Sequence, residues 1–186
     1  MDDFNHLSVL LAIILGLAIT QVLSGFRGLV HARARVRMYW PVIVWAWLLL
    51  VIDVQTWWSM FGLRKHHDWT FGQFSIVLLQ TIILYMLAAL ILPDFGTEPV
   101  DLRETYFQQA RWFYSLSVLV GIVSLCKDVV LDGSLPNRLN VGFHLFFMVA
   151  AAGAAVIRRD WYHKLAVLTT AVLFALYIIV LFARLH

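Results

Sequence analysis

Residues 7–30 read LSVLLAIILGLAITQVLSGFRGLV, and Arg27 is the one charged side chain among them. At 1.5 Å of rise per residue, the 20 residues before Arg27 make a helix of roughly 30 Å, the thickness of a bilayer's hydrocarbon core. Its apolar residues occupy every side of the helix, so water suits no face of it. The whole chain shares this character, with 62% hydrophobic and 13% charged residues in 186 and a mean hydropathy of +0.82. Soluble proteins carry roughly a quarter charged residues. A lipid bilayer is therefore the expected solvent and the first expected partner.

Apolar runs of similar length recur along the sequence. They predict an all-α, polytopic bundle of six transmembrane helices at residues 7–30, 39–63, 71–92, 106–130, 139–157 and 162–183. Pro41 suits the first turn of the second helix, and Pro93 stops the third. The connections are short, so residues 1–186 are read as one transmembrane domain. The opening Asp2 and Asp3 are unlike the basic start of a secretory signal, and the first run is read as a retained helix.

Lys and Arg fix the expected orientation. With the N-terminus outside, nine lie on the cytoplasmic side: Arg27, Arg33, Arg35, Arg37, Arg103, Arg111, Arg158, Arg159 and Lys164. Five lie outside: Arg64, Lys65, Lys127, Arg138 and Arg184. The bias predicts both termini outside, in a multi-pass protein of a plasma (inner) membrane. Trp40, Trp57, Trp58, Trp69, Trp112 and Trp161 fall near helix ends, where amphipathic rings prefer to sit. The basic residues form no patch with interleaved aromatics, which argues against nucleic-acid binding. Cys126 is the only cysteine, so an internal disulfide is excluded.

Small residues recur every fourth position in the first helix, at Ala12, Gly16, Thr20, Ser24 and Gly28. Such a stripe lets another backbone approach closely, either within the bundle or across a homo-oligomer seam. Ala150, Ala151, Gly153, Ala154 and Ala155 offer a similar face in the fifth helix. Asp53 lies roughly 3 Å from the middle of the second helix, where an ionised carboxylate is costly unless paired, neutralised or hydrated. Gln73 and Gln80 share a face of the third helix, and Gln80 is expected at the depth of Asp53. Tyr114, Ser117, Gly121, Ser124 and Asp128 form a polar stripe on the fourth helix. His144 lies about a turn and a half into the fifth.

Together Asp53, Gln80, His144, Ser117 and Ser124 outline a polar intramembrane site. One reading is a channel or transporter-like conduit for protons, ions or a small solute. The alternative is a non-catalytic subunit or scaffold that docks a membrane partner through small-residue helix faces, with Asp53 serving packing alone. An enzyme has no support from motifs: G-x-S-x-G, H-E-x-x-H and phosphate-binding glycine loops are absent. His6, His66, His67, Asp68 and His186 gather on the outer side without metal-binding spacing, and no axial pair for haem is evident. No metal or cofactor is implied.

Overall fold

The computed structural model describes residues 3–65 and 69–182. Its helices are α1 (Asp3–Ala32), α2 (Trp40–Ser59), α3 (Phe71–Ile91), α4 (Leu102–Asp132), α5 (Arg138–Val156) and α6 (Asp160–Phe182). All six are long and apolar enough to cross a membrane, so this is an all-α, multi-pass membrane protein. α3 packs against α1 and α4, and α4 against α5. α2 lies across α1 and α3 and reaches α6, which also pairs with α5. Asp2, His66, His67, Asp68 and His186 lie outside the described residues.

Local chemistry explains where the helix ends depart from the sequence expectation. α4 starts at Leu102 because Asp101 caps it, its carboxylate accepting from the amides of Arg103 (2.8 Å) and Glu104 (3.2 Å). It ends at Gly133, whose φ of +67° makes a left-handed cap. α2 stops at Ser59 and tightens into a 3-10 segment, Met60–Lys65, in place of the helix expected to residue 63. Asp53 consequently lies roughly 5 Å past the middle of α2. At α3, Thr70 and Gln73 form a reciprocal capping box. Gln73 thus serves the helix end and takes no part in a polar interior.

Two loops are tied together at one end of the bundle, here termed the arginine face. Strand β1 (Val36–Arg37) follows α1, and β2 (Val100–Asp101) precedes α4. They pair in parallel, Val36 with Val100 and Arg37 with Asp101. Arg35 donates to the Gly96 carbonyl at 3.2 Å, and Arg37 bridges Asp101 at 3.4 Å. The chain after Pro93 folds back over the end of α1. A Cβ at Gly25 would stand 2.7 Å from Leu92 Cδ1, and one at Gly28 would stand 2.7 Å from Phe95 Cδ2.

α1 does not pack through its small-residue stripe as a whole. Its buried face is Leu11, Leu15, Ala18, Val22 and Leu29. Gly16, Thr20 and Ser24 are exposed, Ala12 is half-buried, and a Cβ at Gly16 would meet nothing within 4 Å. Only Gly28 meets a close neighbour, because Phe95 returns there. The larger side chains win the interior because packing between membrane helices depends on van der Waals contact. In α5 the small face is internal: Ala151 and Ala154 are buried, and the Tyr162 hydroxyl lies in the space left by Gly153.

Candidate functional site

Beneath the arginine face, α2, α4 and α6 each contribute polar aromatic groups to one buried chain. The Trp45 indole N–H donates to Tyr114 Oη at 3.1 Å, and Tyr114 Oη lies 2.6 Å from Tyr106 Oη. Tyr106 Oη is 2.9 Å from His163 Nδ1, and His163 Nε2 is 2.9 Å from the Ile157 carbonyl. Tyr106 and Tyr114 are eight residues apart on α4 and share its inner face, the fourth-helix stripe extended toward the arginine face. His163 has no exposed surface and is walled by the rings of Phe107, Tyr106 and Tyr114, with centroids 4.8, 5.4 and 5.4 Å away.

Donor and acceptor chemistry gives this chain a single direction. A carbonyl only accepts, so Nε2 of His163 carries the ring proton and Nδ1 accepts from Tyr106. Tyr106 then accepts from Tyr114, which accepts from Trp45. Every hydroxyl hydrogen in the chain is used once. The two ends are an indole N–H, which only donates, and a peptide carbonyl, which only accepts. Neither end can pass a proton onward. The arrangement therefore pins three helices together and is closed to relay.

Above the chain, Asp160 gathers three partners at the start of α6. Tyr39 donates to its carboxylate at 3.0 Å, Arg103 at 3.1 Å, and Lys164 pairs with it at 2.5 Å. Burial, reinforced by the Asp160 hydrogen bond and charge, holds the Tyr39 phenol above the usual tyrosine range. Arg103 also lies over the Phe107 ring, 5.3 Å from its centroid.

The sequence-derived site residues fall into separate places. His144 and Ser124 meet: Nδ1 donates to the Asn140 carbonyl at 2.9 Å, so Nε2 accepts the Ser124 hydroxyl at 3.2 Å. Ser117 is buried with its hydroxyl on the Phe113 carbonyl. Between Ser117 and Ser124 lies Gly121, covered by Met148, whose Cγ would stand 2.7 Å from a Cβ there. The polar stripe of α4 is thus interrupted by a thioether. Asp53 has no exposed surface, and neither carboxyl oxygen has a hydrogen-bond partner among the described residues. Gln80 is half-buried and does not reach it.

His163, Tyr106 and Trp45 escaped the sequence reading. Tyr106 and Trp45 carry ordinary membrane-helix signals, and nothing local links residue 106 to residue 163. A histidine two residues after Trp161, early in an apolar helix, was the available sign. Both nitrogens of His144 and of His163 are committed to hydrogen bonds, which leaves neither ring a lone pair for a metal. Among the described residues, no three His, Cys, Asp or Glu side chains are grouped to hold an ion. No protein-family model, curated protein or solved structure matches this chain.

Proposed function

We propose that the chain is a non-catalytic membrane subunit that docks a partner helix along the outward small-residue face of α1, with the arginine face in the cytoplasm of a plasma (inner) membrane. The observation that carries this reading is the closure of the buried chain at both ends. It binds α2, α4 and α6 into a fixed frame, and a conduit has no use for a path ending in a donor-only and an acceptor-only group. Gly16, Thr20 and Ser24 remain exposed on α1, which packs against α2 and α3, at the spacing that permits close helix approach.

A photo-crosslinking residue placed at Gly16 or Thr20, in native membranes, tests the docking. The expected result is a discrete polypeptide adduct, either a second copy or another protein, with none from the exposed Val149 on α5. Equal labelling from all three positions, or lipid adducts alone, would contradict it.

The conduit reading keeps one specific observation in its favour, the unpartnered carboxyl of Asp53. A buried carboxyl without a hydrogen bond costs stability, and inside a membrane such a group commonly serves function. Against it, two open cavities among the described residues, at the start of α4 and between α5 and α6, are lined by other residues.

A further inference from the structure

α5 and α6 leave a lipid-accessible groove of about 630 Å³ between them. Its walls are mostly apolar: Leu139, Phe143 and Phe146 from α5 face Leu168 and Val172 from α6, and the one hydroxyl among them, Thr169, donates to the Leu165 carbonyl of its own helix. Gly142 forms part of the wall, and a Cβ added there would meet nothing within 4 Å. Seven residues separate Leu139 from Phe146, so the wall runs for roughly 10 Å along α5.

At the end of this groove is Arg138, the first residue of α5. Its side chain is exposed and makes no ion pair or hydrogen bond with any described residue. Asn137 caps the helix, its side-chain oxygen accepting from the Asn140 amide at 2.8 Å. No carboxylate lines the groove.

A guanidinium with no partner among the described residues, at the head of an apolar channel in a membrane-spanning helix pair, matches one kind of molecule. We infer that the groove holds a single anionic glycerophospholipid, its phosphate on Arg138 and one acyl chain between α5 and α6. Guanidinium suits phosphate because its planar N–H groups meet two oxygens at once. A zwitterionic headgroup would bring an ammonium that no acidic side chain of the groove can receive, so the site discriminates by headgroup charge. The acyl chain between Phe143 and Val172 fills space that neither helix covers and gains van der Waals contact with both walls. This site is independent of the α1 docking face.

Native mass spectrometry of the full-length protein, released from nanodiscs of equal phosphatidylglycerol and phosphatidylcholine with matched acyl chains, tests it. Wild type is expected to retain phosphatidylglycerol about tenfold over phosphatidylcholine, the contrast given by one charge-assisted contact. Arg138→Gln should bring that ratio close to one. Gly142→Leu, which fills the channel without a clash, should lower retention of both lipids while the thermal transition stays in place. Free glycerol phosphate should not compete, because the acyl chain supplies much of the binding. A wild-type ratio near one, or a ratio unaffected by Arg138→Gln, would overturn the assignment. A changed oligomeric state in Gly142→Leu with lipid retention unchanged would also overturn it, making the groove a seam between copies.

Discussion

Replacing Tyr106 by Phe removes one oxygen from the middle of the buried chain and leaves every ring in place. The aromatic contacts to Tyr39 (5.5 Å), Phe107 (5.3 Å) and His163 (5.4 Å) survive, so the change isolates hydrogen bonding. Two bonds disappear, at 2.6 and 2.9 Å. The Tyr114 hydroxyl hydrogen loses its acceptor and His163 Nδ1 loses its donor. Hydrogen bonds between membrane helices contribute about 0.6 kcal/mol on average and at most about 1.7. Two of them amount to about 1.2–3.4 kcal/mol, and two buried groups left unsatisfied put the loss at about 2–3 kcal/mol. The thermal midpoint should fall by roughly 4–12 °C, taking 2–4 °C per kcal/mol for a chain of this size. Unfolding followed by tryptophan fluorescence in a mild detergent measures it. Tyr114→Phe should act similarly, and the double variant should cost less than the sum because the Tyr106–Tyr114 bond is shared. A loss below about 0.5 kcal/mol for Tyr106→Phe, or strict additivity, would refute the interlocked chain.

Asp53→Leu is expected to raise stability by about 1–3 kcal/mol, because it removes an unpartnered buried carboxyl from a transmembrane helix. A hydrogen bond from Gln80, placed by sequence at the same depth, would give the opposite sign; denaturation of the purified variant decides between them. Gly25→Ala should destabilise by about 1–3 kcal/mol because Leu92 already occupies its Cβ position, whereas Gly16→Leu should leave the thermal midpoint within a degree or two and act, if at all, on oligomeric state. The raised Tyr39 phenol predicts an alkaline loss of stability. Its contribution is full below the unfolded tyrosine value of about 10 and declines as pH rises above it. Tyr39→Phe should flatten that decline, and an identical alkaline limb in both proteins would count against the Tyr39–Asp160 contact.

The six helices were legible because bilayer thickness imposes one simple length on each apolar run, as residues 7–30 illustrate. Their ends were less so. α3 begins at Phe71, as expected, whereas the true start of α4 depends on the Asp101 cap, a short polar motif that hydropathy averages away. The α4 stripe was visible from its spacing, and so were Ser124 and His144, which meet. Asp53 and Gln80 were matched by depth alone, and depth says nothing of rotation about the helix axis. The same limit hid the facing of Gly16 and Thr20. It also hid the Tyr106–His163 contact, made across 57 positions of sequence.

Proton flux through purified protein in liposomes tests the central claim most directly. With a pH-sensitive dye inside and a pH gradient imposed under a potassium–valinomycin clamp, the closed chain and buried Asp53 predict flux no greater than in protein-free liposomes, at every pH from 5 to 8. A flux well above that background in wild type, lost in Asp53→Asn at equal folded yield, would contradict the subunit account and establish a conduit through Asp53.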